Sequence, residues 1–298
     1  MSGEKIAASI VIRTLNEARW LGEVFEALKT QNLDGRPFEV VLVDSGSTDG
    51  SIEIARENGA RIVEIKKSEF TFGRSLNRGC DAALGRALVF ISGHCIPTHD
   101  RWLSNLIAPL GRDRISYAYG RQIGHAVSKF SEHQLFRKYF PETSKVPQDG
   151  FFINNANSAL LKATWENHPF DEDLTGLEDM ELGKRLVAAG DRIAYVADAP
   201  VIHIHEETWP KVKTRYEREA IALQAIMPEV HVGFGDFLRY TASGIFFDWA
   251  EALNQKVFTK QFWNIVMFRT MQFWGTYRGN NDHRRMSQAR KEAYFYPR

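Results

Sequence analysis

The residues of this chain best suited to chemistry fall into a few short clusters. The first is Val40-Val41-Leu42-Val43-Asp44-Ser45-Gly46-Ser47-Thr48-Asp49-Gly50-Ser51. An apolar run ends on an acid, a small polar turn carries a second acid, and a helix opens. A parallel strand that delivers Asp44 to the carboxyl edge of a sheet puts a carboxylate where the ligand sites of open α/β sheets form. An acceptor there can meet ribose hydroxyls or a base imide, so the segment points to a nucleotide-bearing ligand. The competing reading is local, with Asp44 and Asp49 capping the turn and the helix. A second cluster, Glu178-Asp179 with Glu181, starts another helix. A carboxylate such as Asp179 can take a proton from a reacting hydroxyl, although acids in a first turn also complement the helix dipole. A third is Val201-Ile202-His203-Ile204-His205, where strand alternation would put both imidazoles on one face. Arg74 and Arg215 (with Arg218) could clamp diphosphate oxygens, or pair with neighbours such as Glu217 and Glu219. Asn154, Asn155 and Asn157 suit sugar hydroxyls, and Trp102 or Trp209 could stack on a pyranose; core or turn roles fit each of them as well.

These residues need elements to position them. Ser9 to Arg13 reads as a strand, followed by a helix with Trp20, Leu21, Val24, Phe25 and Leu28 on one face. Phe38 to Val43, Ala60 to Ile65 and Ala87 to Ser92 read as further strands, with helices at Ser51–Asn58, Arg74–Leu84 and Trp102–Leu110 between and after them. Gly59 stops the second helix. This order predicts a mostly parallel sheet with right-handed crossovers. Phe151 to Leu161 reads as a strand pair, Glu178 to Ala189 as a helix closed by Gly190, Arg192–Val196 and Val201–His205 as two short strands, and Trp209 to Met227 as a polar helix.

Composition narrows the class. A net charge of +1 argues against nucleic acid. Two cysteines, Cys80 and Cys95, make neither a disulfide framework nor a zinc spacing, and a reducing compartment is the simplest reading. The segment Met1 to Ala8 lacks the apolar region of a secretory signal, and no run of about 18 apolar residues predicts a spanning helix. The expected location is cytoplasmic, with peripheral contact at the inner face of a membrane. From Val232 to Arg298 there are 10 Lys/Arg against 5 Asp/Glu, and 16 of the chain's aromatics. That shift predicts two domains, 1–227 and a helical, aromatic and basic module over 228–298. The helices Phe234–Leu253 and Phe262–Tyr277 carry rings interleaved with Lys256, Lys260, Arg269 and Arg278. Such a surface fits an interfacial membrane helix or an oligomer contact.

Four motifs in order resemble a family 2 glycosyltransferase of the GT-A fold: Ile12-Arg13-Thr14-Leu15-Asn16-Glu17, the Asp44 turn, Ser92-Gly93-His94-Cys95-Ile96-Pro97, and Gly176-Leu177-Glu178-Asp179. The resemblance covers roughly residues 7 to 220. It implies that Thr14, Asn16 and Glu17 lie near the base and ribose, that Asp44 contacts the nucleotide and that Asp49 supports the turn. It implies Asp179 as catalytic base with Glu178 positioning. The family's Asp-x-Asp is absent; the positions read Ser92-Gly93-His94, similar to the Asp-x-His of polypeptide N-acetylgalactosaminyltransferases without the leading acid. The resemblance then implies a divalent cofactor, Mn2+ or Mg2+, on His94 and His203 with His205 as substitute ligand; the alternative is that His94 bonds a phosphate directly. The implied reaction is inverting transfer of a sugar from a nucleotide-sugar donor to a hydroxyl of a saccharide or lipid-linked glycan, as in polysaccharide biosynthesis. A sugar nucleotidyltransferase and a non-catalytic scaffold derived from this fold remain the alternatives. The former would want a basic Gly-rich loop after the first strand that Arg13 to Asn16 does not supply.

Overall fold

A computed structural model describes residues 6–281 and the pair Tyr294–Phe295. Met1–Lys5 of the N-terminal segment, and most of the C-terminal module beyond Asn281, lie outside the described residues. The chain divides into two compact units. One comprises 1–123, 140–173 and 178–203; the other comprises 124–139, 174–177 and 204–298. The boundary expected at Pro228 therefore differs from the observed division, which comes after His203 and draws an earlier helix into the second unit.

The first unit is built on strands β1 (Ala8–Thr14), β2 (Phe38–Asp44), β3 (Arg61–Glu64) and β4 (Ala87–Ser92), which pair in parallel. Ile10, Val11 and Ile12 are all at most 1% exposed, the signature of a sheet covered on both faces. Helices α1 (Ala18–Lys29), α2 (Ser51–Glu57) and α3 (Phe72–Ala82) make the crossovers. Gly79 lets α3 lie against the sheet, since a Cβ there would stand 2.4 Å from Val11. The register pairs Thr14 with Asp44 and Arg13 with Ser92. Three strand ends thus finish on one edge, as the motif order requires.

Beyond β4 the pairing turns antiparallel. The eight-stranded order is β3-β2-β1-β4-β7-β6-β8-β5, with β5 (Cys95–Pro97), helix α4 (Trp102–Ile107), β6 (Ile115–Gly124), α5 (Phe130–Tyr139), β7 (Asn157–Leu161), α6 (Lys162–Asn167), α7 (Glu178–Ala188) and β8 (Arg192–His203). The mixed sheet matches the expectation of a mostly parallel one, its parallel part being β3, β2, β1 and β4. Strand β6 and helix α6 have no counterpart in the sequence reading. The expected strand pair over 151–161 is a loop leading into the single strand β7. The two short strands expected over 192–205 are one strand, β8, which ends at His203. His205 lies beyond its end, so strand alternation does not relate the two histidines.

The second unit is helical: α5, α8 (Trp209–Ile226), α9 (Phe234–Asn254) and α10 (Phe258–Asn280). Helix α10 packs closely on α8 because Gly275 and Gly279 present no side chain; a Cβ on either would come within 2.3 Å of the Lys213 carbonyl oxygen or 2.1 Å of that of Glu217. Arg269 of α10 grips Asp248 of α9 through two hydrogen bonds of 2.7 Å, both residues buried.

Candidate active site

The site begins where β1 and β2 end. Asp44 is 1% exposed. Its Oδ2 accepts from the backbone N–H of Gly46 and Ser47 at 2.8 and 2.9 Å, and its Oδ1 accepts from the Ser47 hydroxyl. The carboxylate therefore orders the turn, the local role weighed against ligand contact in the sequence. Gly46 and Gly50 adopt φ of +100° and +94°, which a residue without a Cβ does at no steric cost. Asn16, itself at φ +57°, accepts from Thr48 N–H at 2.8 Å and donates its own N–H to the Ser47 hydroxyl. Asp49 Oδ2 accepts from Ala18 N–H at 2.9 Å and Oδ1 from Ser51. Burial opposes its ionisation, but the bonds from Ser51 and Ala18 outweigh that and hold the carboxyl below its usual range. The first two motifs are thus one hydrogen-bonded platform. The hydroxyl of Thr14 beneath it is buried and has no hydrogen-bond partner among the described residues.

Two histidines meet next to the platform. Cys95 pairs with His203 in the β5–β8 ladder, so His94, one residue earlier, comes alongside His203. Their rings stack with centroids 5.1 Å apart, and their Nε2 atoms are separated by 3.2 Å. Each Nδ1 is engaged elsewhere: that of His94 with Glu17 Oε1 at 2.9 Å, that of His203 with Gln122 Oε1 at 2.7 Å. Carboxylate and amide oxygens accept only, so both Nδ1 atoms carry hydrogen and the two Nε2 lone pairs face each other. Two facing lone pairs at that distance call for a cation between them, a proton or a metal. A divalent ion bonded to two imidazoles at about 2.1 Å sets their nitrogens about 3.0–3.4 Å apart for angles between right and tetrahedral. The outer bonds to Glu17 and Gln122 are those that orient metal-binding imidazoles. The pair therefore fits a divalent cation. Glu17, expected at the nucleoside, is bonded to His94.

The third part is acidic. Glu178 is buried and paired with Arg13 at 2.9 Å. Asp179 Oδ2 accepts the backbone N–H of Asn155 at 2.7 Å, and Oδ1 that of Met180 at 2.8 Å. Burial first, and then the charge of Glu178, push the Asp179 carboxyl up to about 7, against the pull of these bonds and of Arg13. The Asn155 Oδ1 is held by Tyr117 and Ser158 at 2.5 and 2.6 Å, and its buried Nδ2 has no partner among the described residues. Burial, then the charges of Asp179 and Glu178, raise the Tyr117 hydroxyl well above its ordinary range, so it remains a neutral donor. Gln122 joins the parts: it receives from His203 and donates to Asn154 at 2.9 Å. One course of direct contacts runs Glu17, His94, His203, Gln122, Asn154–Asn155, Asp179, hydrogen-bonded on both sides of the imidazole pair.

Other expected site residues have partners of their own. Trp102 is fully buried, donating to Asn157 Oδ1 at 3.0 Å, so it is core and cannot stack on a sugar. Asn157 is also fully buried, its amide donating to the carbonyls of Arg121 and Ala199; every polar atom of its side chain is taken, which removes it as an acceptor contact. Arg74 is committed to Glu172 at 2.6 Å and to the Glu69 carbonyl. In the second unit, Arg215 bridges Glu132 and Glu207 at 2.7 Å each, and His205 Nδ1 bonds Glu132 at 2.5 Å. Burial opposes ionisation of Glu132, but Arg215 and His205 hold its carboxyl at about 2. Glu132, His205 and Glu207 gather as metal ligands do, but the Arg215 guanidinium already supplies the positive charge. Arg13, Tyr117 and Gln122 had no part in the sequence reading. Arg13 sits inside the first motif, and its charge on a buried strand was the available signal; Tyr117 and Gln122 lie on the unread β6.

A sheet of this topology ending in a turn platform, with a cation-seeking imidazole pair and a buried acid near neutral pKa, defines a GT-A glycosyltransferase. Residues 9–166 match the glycosyl transferase family 2 model, and the chain belongs to that family; it is a glycosyltransferase. It is 27% identical over 240 residues to O-antigen chain rhamnosyltransferase WbaN of Salmonella anatum, covering 76% of this chain and 75% of the relative. It is 24% identical over 239 residues to O-antigen chain rhamnosyltransferase RfbN of Salmonella typhimurium, covering 76% and 75%. Among solved structures it is similar to mannosyltransferase PcManGT of Pyrobaculum calidifontis in complex with GDP-Man and Mn2+, with a TM-score of 0.64, 15% identity, and coverage of 95% of this chain and 89% of that one. The glucosyl-3-phosphoglycerate synthase of Mycobacterium tuberculosis, in complex with Mn2+, UDP-glucose and phosphoglyceric acid, aligns at a TM-score of 0.54 and 22% identity over 74% of this chain and 79% of that one. Family membership decides against the nucleotidyltransferase alternative.

Proposed function

We propose that this glycosyltransferase moves a sugar from a nucleotide-sugar donor to a hydroxyl of a saccharide or lipid-linked glycan, with inversion, and serves polysaccharide biosynthesis. The observation that carries the reading is the run of direct contacts from Glu17 through the facing histidine pair to Asp179. It joins a nucleotide platform, a cation site and a base within one unit. The names of the O-antigen rhamnosyltransferase relatives support the acceptor class.

The nucleoside lies on the platform of Asn16, Ser47 and Thr48, whose shape Asp44 and Asp49 maintain, with the Thr14 hydroxyl below it. His94 and His203 hold a divalent cation, Mn2+ or Mg2+. When bound, it would neutralise charge building on the diphosphate leaving group. Asp179 takes the proton of the acceptor hydroxyl as that oxygen attacks the anomeric carbon from the face opposite the diphosphate, which inverts the centre. A base with a pKa of about 7 is ionised enough at neutral pH to accept the proton and basic enough to draw it. Glu178, neutralised by Arg13, positions the helix start and keeps the Asp179 pKa raised. Asn155 ties the base to the loop before β7 and offers its Nδ2 for the acceptor. The test is transfer from a panel of nucleotide-sugars by Asp179→Asn: a fall of about 10²–10⁴ is expected for loss of a general base, and near wild-type turnover ends the assignment.

A further inference from the structure

The end of the α9–α10 hairpin carries rings that no core requires. Phe246 is 65% exposed, Phe247 76% and Trp263 72%. Phe246 and Trp263 are the outer members of one aromatic run: Phe246 meets Trp249 at 5.7 Å between centroids, Trp249 stacks on Phe262 at 4.6 Å, and Phe262 meets Trp263 at 5.1 Å. Stacking holds the outer rings in place, so little side-chain entropy remains to be lost when they are covered. The surrounding charge is one-sided. From Ala252 to Asn281 the chain has no Asp or Glu, while Lys256 and Lys260 flank the turn between the helices. Arg269 in the same stretch is neutralised by Asp248. Among the described residues no helix is long and apolar enough to cross a membrane.

We propose that the α9–α10 turn lies on an anionic lipid surface, with Phe246, Phe247 and Trp263 in the headgroup boundary and Lys256 and Lys260 against the acidic headgroups. Aromatic rings flanked by lysines suit that boundary, where an amphipathic element lies in the interface plane without spanning. Charge selects lipid over a second copy of the chain. A two-fold contact sets the same patch against itself; the acids beside this patch, Asp248 and Glu251, are already bonded to Arg269 and Arg137, so two copies would meet lysine to lysine. An anionic surface is complementary. The inference uses only residues of the second unit and stands whether or not the catalytic reading does.

The experiment is vesicle flotation of the full chain. Vesicles are phosphatidylcholine alone, or phosphatidylcholine with about 30% phosphatidylglycerol, at low and high salt, since attraction to acidic headgroups falls off within a Debye length. Wild type is expected to float with the anionic vesicles at low salt and to be released by high salt. Phe246→Ser/Trp263→Ser is expected to lower the partition coefficient at least tenfold. Lys256→Glu/Lys260→Glu, which removes no ring, is expected to do the same, each lysine being worth about fivefold. Circular dichroism confirms that both variants fold. Three results overturn the proposal: no flotation of wild type, flotation unchanged in both folded variants, or a wild-type dimer by light scattering that Phe246→Ser/Trp263→Ser converts to monomer.

Discussion

Replacing Asp179 by Asn separates two readings of this residue by the sign of a stability change. An Asp in the first turn of a helix ordinarily favours folding when ionised, through the dipole, by about 0.3–1 kcal/mol. Asp179 instead has burial and the adjacent Glu178 against its charge. Burial and the charge of Glu178 push its carboxyl up from the ordinary 3.8 to about 7. Between those values the native state binds more protons than the unfolded chain, so stability falls as pH climbs through that window and levels off above it. At 1.36 kcal/mol per unit the window of roughly 3 units corresponds to about 4 kcal/mol, a cost carried by the ionised protein at pH 8 and absent near pH 4. The amide of Asp179→Asn keeps an oxygen for the Asn155 N–H, bonded now at 2.7 Å, but takes no charge. The variant is therefore expected to unfold about 5 °C or more above wild type at pH 8, taking about 2 °C per kcal/mol for a chain of this size, and only about 2 °C above it at pH 4.5, while losing transfer activity. In wild type kcat should rise with pH on an acid limb centred near 7. Thermal melts at the two pH values and a pH–rate profile supply the assay. A variant less stable than wild type at pH 8, or one whose advantage is the same at both pH values, would refute the buried, raised carboxyl.

Arg13→Met should leave the buried charge of Glu178 without its partner and cost about 3–5 kcal/mol, read from denaturant midpoints, with Arg13→Met/Glu178→Gln recovering most of it. Added Mn2+ should raise the melting temperature of wild type and not that of His94→Ala/His203→Ala, as mass action on the native state requires; equal shifts in both proteins would remove the histidine site. Trp102→Phe loses the hydrogen bond to Asn157, leaving a buried acceptor less well satisfied at about 1–3 kcal/mol, and should leave KM for acceptor unchanged; a raised KM would return Trp102 to the acceptor site. Tyr117→Phe should shift the acid limb of kcat through the Asn155–Asp179 contact more than it changes donor KM.

What could be read along the chain was what is local. The alternation of strand and helix through β4, the polar turn after Asp44, the acids opening α7 and the aromatic helices α9 and α10 depend on neighbours a few residues away, and hydrophobic period and turn chemistry report such neighbours. Asp44 and Asp49 even displayed their capping roles in their spacing. The partners that define the site are distant: Glu17 and His94 are 77 residues apart, Gln122 and His203 81, and His94 and His203 109. Strand β6, which carries Tyr117 and Gln122, escaped notice because its Ile115–Gly124 sequence mixes polar residues with two glycines. One of these, Gly120, is required only because a Cβ would stand 2.3 Å from the Ala199 carbonyl oxygen, a tertiary fact. Trp102 and Asn157 looked like sugar contacts because type and spacing do not report burial. By itself the sequence determined the family and the sheet edge, and it singled out Asp179 as the base proposed here. Only the tertiary structure decided that Glu17 bonds His94, that a β5–β8 register brings two imidazoles face to face, and that Asp179 sits dry beside Glu178. Desolvation and the approach of distant side chains arise when strands pair across the sheet, so no stretch of the chain carries them alone.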